Sequence, residues 1–248
     1  MIRITSRKND NVKRVASLST AKGREETGLF ITEGVKLYRE AVSAGFVPAE
    51  AYISDSYAGE EIKAETLYSV TDEVYEKMST QSSPEGVLCV FEKFELEAKK
   101  DSCVLLLENM QDPGNLGTVL RSAAAFGCRL VIGVGCCDAF SPKSVRATMG
   151  AVFRVPYRAV DSLDEAVEEL GDIPIYAAAL TEDAVDMAEE DTSRALIMIG
   201  NEGHGLSQRA LEISDKRIII PIEQVESLNA SGAATVLLYD SMRKREKN

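Results

Sequence analysis

The 248-residue chain has a single histidine, His204, and no run of about 18 apolar residues. Without such a run, no membrane-spanning helix is expected. The basic N-terminus MIRITSRKNDNVKR is not followed by an apolar stretch. That speaks against a secretory signal and points to the cytoplasm. The five cysteines, Cys89, Cys103, Cys128, Cys136 and Cys137, are odd in number, show no CxxC spacing, and include one adjacent pair. This pattern suits neither a disulfide framework nor a zinc site, so reduced, buried thiols and no metal are expected. One histidine also argues against a His-ligated metal, and against a histidine-based triad unless His204 supplies it. Gly200, Gly203 and Gly205 are not followed by Gly-Lys-Ser/Thr and miss the GxGxxG spacing. Gly133 and Gly135 form GxG, but Asp138 and Ala139 stand where a third glycine is needed. A nicotinamide-dependent enzyme is therefore disfavoured.

What is present is ordinary for a globular chain: 45% hydrophobic and 27% charged residues, enough for one large or two modest domains. The net charge of −12 argues at first against a nucleic-acid partner. Its distribution weakens that objection. Twelve acids and no base lie between Ala159 and Asp191, whereas the first 24 residues carry seven bases and one acid. Between Arg121 and Arg158 there are six bases and one acid. Charge is screened beyond about 8–10 Å at physiological salt, so an acidic chain can present a basic face to RNA. The alternative is that these are ordinary solvated surfaces.

A charged stretch, EKFELEAKKDS at residues 92–102, reads as a linker. Before it, TEGVKLYREAVSAG predicts a helix capped by Thr32 and ended by Gly45, followed by short strands at Ala51 to Ile53, Leu67 to Val70 and Val87 to Phe91. After it, strand and helix alternate. CVLLL reads as a buried parallel strand, residues 115 to 126 as a helix closed by Gly127, and LVIGV as the next strand. SPKSVRATMGA predicts a helix with Ser141 as cap and Pro142 in its first turn. IPIYAAA, ALIMIG and RIIIPI are further strands. The alternation predicts an α/β domain with a mostly parallel sheet.

Three segments carry candidate chemistry. On the helix after CVLLL, Leu116, Val119, Leu120 and Ala123 fall on one side, and Asn115, Thr118, Arg121 and Ser122 on the other. Its polar start lies at a strand's carboxyl end, where open α/β sheets bind ligands. An amphipathic surface helix is the plainer alternative. IMIGNEGHGLS, residues 197–207, has three glycines between a strand and a helix, either to let backbone approach a ligand or simply to turn tightly. IIIPIEQVESLNASGAATVLLYD places Ser227 and Asn229 just before a long helix, where they could also act as caps.

Taken in this order, the segments resemble the three motifs of the SpoU (TrmH) family of RNA ribose 2′-O-methyltransferases. N-L-G-x-x-x-R runs from Asn115 to Arg121, G-N-E-G-x-G from Gly200 to Gly205, and I-P-I…S-L-N from Ile220 to Asn229. MGAVFRVPY, residues 149–157, is similar to the family's linking segment. LFITEGVKLYREAVSAG and SSPEGVLCVF resemble its small RNA-binding domain, itself similar to certain ribosomal proteins. Thr148 and Ala230 depart from the usual serine and valine.

The resemblance implies an α/β fold in which a knotted (trefoil), mostly parallel-sheet methyltransferase domain, residues 103–248, follows a small α/β RNA substrate-binding domain, residues 1–95. It implies S-adenosyl-L-methionine as cofactor and RNA as partner, with ribosomal RNA favoured over tRNA. It also implies a homodimer with the C-terminal helix near its interface. The catalytic residues it implies are Arg121, Asn115, Glu202, Ser227 and Asn229. Cofactor contacts fall to Leu180, Gly200, Asn201 and Gly203, and to Ile220, Pro221, Leu228 and Asn229. A tRNA 2′-O-methyltransferase and a non-catalytic RNA-binding member of the same fold are the alternatives.

Overall fold

The structure is a computed structural model and describes residues 1–99, 101–201 and 203–247. The elements in chain order are β1 (Ile2–Ile4), α1 (Asp10–Ser17), α2 (Ala21–Thr27), β2 (Leu29–Glu33), α3 (Val35–Ser43), β3 (Glu50–Ser54), β4 (Thr66–Val70), α4 (Asp72–Met78) and β5 (Val87–Glu92). Then come β6 (Val104–Glu108), α5 (Pro113–Ala125), β7 (Val131–Val134), α6 (Pro142–Thr148), β8 (Tyr157–Val160), α7 (Leu163–Leu170), β9 (Ile175–Ala178) and β10 (Val185–Asp186). β11 (Leu196–Ile199), α8 (Gln208–Ile213), β12 (Lys216–Ile219) and α9 (Ala230–Arg245) complete the chain. They form two units, Met1–Phe94 with Phe140–Phe153, and Glu95–Ala139 with Arg154–Asn248.

The first unit has a five-stranded sheet in the order β1-β4-β3-β5-β2. β1, β4 and β3 run parallel, and β5 is antiparallel to both β3 and β2. The helix expected to start after Thr32 begins later. Thr32 lies inside β2, opposite Cys89, so the ladder uses the backbone that a cap would have served. Gly34 makes the turn with φ +95°, a conformation open to glycine, and α3 ends at Ser43 with Ala44 as its cap.

Residues 140–153, within the stretch expected to belong to the second domain, pack in this first unit. Ser141 caps α6 through its hydroxyl, which accepts from Ser144 N at 3.1 Å, and Pro142 follows it as expected. Phe140 and Phe153 flank the helix and join Phe30, Phe46, Phe91 and Phe94. Ring centroids lie 4.8 Å apart for Phe30–Phe140 and 5.1 Å for Phe91–Phe153. Six of the chain's seven phenylalanines thus share one cluster.

The second unit has a seven-stranded sheet in the order β10-β12-β9-β11-β6-β7-β8, with every described pairing parallel. Its continuous apolar strands follow from burial on both faces. In the first of them, Cys103, Leu105 and Leu107 enter the core beneath α5 and α9, while Val104 and Leu106 enter the opposite core with α7 and α8. Each such leucine contributes about 1.5–3 kcal/mol through burial.

Helix α5 starts at Pro113, two residues earlier than expected, because Asp112 is the cap and accepts from Asn115 N at 2.9 Å. Leu116, Val119, Leu120 and Ala123 are all buried as the periodicity predicts. Ser122, assigned to the polar side, is buried instead, because α9 covers that flank and Thr235 Oγ1 lies 2.7 Å from the Ser122 hydroxyl. The Arg245 guanidinium donates to the carbonyls of Phe126 and Gly127 at 3.3 and 3.1 Å, closing the end of α5 from α9.

All five cysteines are free, and Cys89, Cys103 and Cys128 are buried. Burial pushes the Cys128 and Cys136 thiols up to about 11. These thiols stay protonated at neutral pH and are poor nucleophiles or metal ligands.

Candidate functional site

Strand β6 ends at Glu108, a carboxylate only 5% exposed, which accepts from Ser207 N at 2.7 Å. That bond holds the entry to α8 beside the carboxyl end of the central strand. The next residue, Asn109, has φ +56°, unusual for a side-chain-bearing residue. Its carbonyl accepts from Asn201 Nδ2 at 2.9 Å. Asn201 Oδ1 in turn accepts from Gly203 N at 2.8 Å. The Asn201 and Gly205 backbones exchange two hydrogen bonds, at 3.1 and 2.8 Å. The glycine loop is therefore closed on itself and stapled to β6. Gly200 sits so tightly in it that a Cβ would fall 2.1 Å from Gly205 C and 2.3 Å from Leu206 N.

Beside this loop, at the carboxyl ends of β9, β11 and β12, lies a cleft of about 450 Å³. That size suits a small organic ligand, and the position is where open α/β sheets bind one. Three loop segments line it, together with Leu211 of α8 and Ala230 and Ala233 of α9. Leu180 and Thr181 come from the loop after β9, Gly200, Asn201 and His204 from the glycine loop, and Ile220, Ile222, Ser227 and Leu228 from the chain between β12 and α9. Among the described residues, the backbone N–H groups of Leu180, Ile220, Ile222 and Leu228 take no protein hydrogen bond. The described lining carries one ionisable side chain, that of His204. The cleft thus offers apolar walls with unused backbone donors at their edges.

The structure brings Leu180, Gly200, Asn201, Ile220, Ser227 and Leu228 together here. Gly203, Pro221 and Asn229 adjoin them in the chain without lining the cleft. Glu202 lies outside the described residues. Asn229 caps α9, accepting from Ser231 N at 2.9 Å. The Ser231 hydroxyl lies 2.6 Å from Asn229 Oδ1 and 3.3 Å from Asn115 Oδ1, so it links the starts of α5 and α9. Arg121 is exposed about 9 Å further along α5 and outside the cleft lining. It takes part in no hydrogen bond or ion pair among the described residues.

Three contributors were missed in the sequence. Glu108 stood at a strand's carboxyl end, and the Asp112–Pro113 pair is a helix-start signal, so both had a usable cue. Ser231 had none, since its role depends on two helix starts far apart in the chain.

The SpoU rRNA Methylase family pattern matches residues 102–239, and an MRM3-like substrate binding domain pattern matches residues 9–89. The chain is 31% identical to a 23S rRNA guanosine 2′-O-methyltransferase of Bacillus subtilis, with 96% of this chain and 98% of that protein covered. It is 33% identical to an uncharacterised tRNA/rRNA methyltransferase of Synechocystis, covering 98% and 94%. The crystal structure of an AdoMet-bound rRNA methyltransferase from Sinorhizobium meliloti is similar to it, with a TM-score of 0.83, 27% identity, and 97% of each chain covered.

Proposed function

Because the chain belongs to the SpoU rRNA methylase family, we propose that it transfers a methyl group from S-adenosylmethionine to a ribose 2′-hydroxyl of ribosomal RNA. The observation that carries this reading is the meeting of Leu180, the Gly200 loop and the Ile220–Leu228 segment at one sheet edge. The cleft fits S-adenosylmethionine in kind. Its apolar walls suit a flat adenine, and its free backbone donors suit that ring's polar edge. When bound, the donor supplies an electrophilic methyl group on a positively charged sulfur.

Asn201 keeps the glycine loop closed and tied to Asn109, which presets the cleft. Gly203, Pro221 and Asn229 belong to the donor's surroundings by their adjacency to the lining. Arg121 acts on the RNA side. A guanidinium is too weak an acid to serve as a base, so it holds the backbone phosphate and stabilises charge developing on the 2′-oxygen. Asn115 and Asn229, joined through Ser231, fix the helix starts that present Arg121 and the cleft. Ser227 faces the incoming ribose from the rim of the cleft, and Glu202 is assigned to the same reaction by its place in the G-N-E-G motif.

The same reading assigns substrate RNA binding to residues 1–95 and catalysis to residues 103–248, with the trefoil knot formed by the returning C-terminal segment. A homodimer through α9 is supported by apolar Val236 and Tyr239, 36% and 50% exposed on its outer face. The proposed reaction calls for no metal. No helix among the described residues is long and apolar enough to cross a membrane. The proposed location is the cytoplasm, a reading supported by the bacterial 23S rRNA methyltransferase relative.

The test is labelled methyl transfer to deproteinised 23S rRNA, followed by mapping of ribose methylation. The expected product is one new 2′-O-methyl position; base methylation, or none, overturns the reading. Gly200→Ala should weaken S-adenosylmethionine binding at least tenfold in calorimetry. The added carbon meets backbone rather than a movable side-chain end, so the loop must open. A change below twofold would remove the loop from the donor site.

A further inference from the structure

The loop between β9 and β10 forms an arch over the end of β12. Ala178 and Val185, at its two feet, both stand level with Ile218, one on each side of that strand. Ala179 N donates to Ile218 O at 3.2 Å, and Ala184 N to Thr181 O at 3.2 Å, which shapes the span. Leu180, at the crown, forms part of the cleft wall yet is 67% exposed. Packing alone does not fix so exposed a side chain, because burial is what normally does so.

A tether comes from below. Arg217 projects from β12 and is not itself part of the cleft lining. One of its nitrogens pairs with Asp183 of the arch at 2.6 Å, and another donates to Leu211 O in α8 at 3.4 Å. Leu211 lines the cleft from another side. Its carbonyl lies in the last turn of α8, where intrahelical donors run out, and Ser214 Oγ also reaches it at 2.8 Å. A single planar guanidinium thus braces two walls of the cleft against the strand between them.

We infer that Arg217 is a positioning residue for the methyl donor, acting through Asp183 and Leu211 to hold the Leu180 wall in place. This rests on the donor reading of the cleft. The pair is partly exposed, so it adds little to global stability. Its effect belongs in donor affinity. The fork geometry matters as well, because lysine offers one compact charge and does not span both partners.

The experiment is S-adenosylmethionine calorimetry and thermal melting on the full chain, with Arg217→Met, Arg217→Lys and Asp183→Asn. Arg217→Met is expected to raise Kd about 5- to 10-fold with the melting temperature nearly unchanged. Arg217→Lys should recover part of the loss, and Asp183→Asn should weaken binding several-fold from the exposed side of the arch. With 23S rRNA as acceptor, KM for the donor rises while kcat at saturating donor stays within twofold. Unchanged Kd in both Arg217→Met and Asp183→Asn overturns the inference. So does a loss confined to kcat. If Arg217→Met unfolds, Asp183→Asn decides alone. Failure of the unaltered chain to bind S-adenosylmethionine overturns the donor reading and this inference with it.

Discussion

Arg121→Ala is expected to lower single-turnover methyl transfer to 23S rRNA by about 100- to 1000-fold, the scale seen when one donor to a developing oxyanion is removed. The side chain is exposed, lies outside the cleft lining, and has no partner among the described residues whose loss would disturb the fold. S-adenosylmethionine affinity should therefore stay within twofold of the unaltered chain, and the melting temperature should not move. Arg121→Lys keeps the positive charge but not the planar fork, and should restore only a minor part of the rate. Unaltered transfer by Arg121→Ala would remove this residue from the reaction. A parallel loss of donor binding would place it in the cleft instead.

Phe153→Ala is expected to destabilise the first unit by about 3–5 kcal/mol, the usual cost of emptying a buried phenylalanine site. The ring is 2% exposed and lies against Phe91 at 5.1 Å, Phe46 at 5.2 Å and Phe94 at 5.8 Å. Removing it leaves a cavity ringed by rigid aromatics, which collapse poorly. Urea denaturation followed by far-UV circular dichroism is the measurement, and in a two-unit chain the transition is expected to split. A loss below about 1 kcal/mol would show that residues 140–153 contribute little to this core.

Much of the architecture was legible because strand burial and helix periodicity write themselves into residue type. CVLLL, LVIGV and ALIMIG are apolar throughout because both faces of the parallel sheet are covered. Leu116, Val119 and Leu120 lie three and four residues apart because one face of α5 is buried. The ends of elements were less legible. Thr32 has the chemistry of a cap, but strand pairing with β5 claimed it. Ser122 has the chemistry of a surface residue, but α9 returns from more than a hundred residues away to cover it. The segment 140–153 was readable as a helix with its cap, but not as part of the first unit, because nothing local says which phenylalanines it will meet.

The cleft was legible only in pieces. Glycines, a proline and an Asn before a helix are each compatible with an ordinary turn or cap, and Asn229 is indeed a cap. Their meeting at one sheet edge is a property of strand order, which no single segment contains. Arg217 shows the opposite limit. A basic residue second in a strand has no signal at all, and its position under the arch depends on β9 and β10 flanking β12.

The discontinuity of the first unit has a consequence during synthesis. When Phe94 emerges from the ribosome, Phe30, Phe46 and Phe91 are already in the nascent chain, but Phe140 and Phe153 are not. At about 5–20 residues per second, the 59 residues from Glu95 to Phe153 take roughly 3–12 s to add. Throughout that interval an apolar aromatic face stays open to water and to other nascent chains. Translation speed between codons 95 and 153, and the holdase chaperones present, should therefore govern soluble yield more than final stability does.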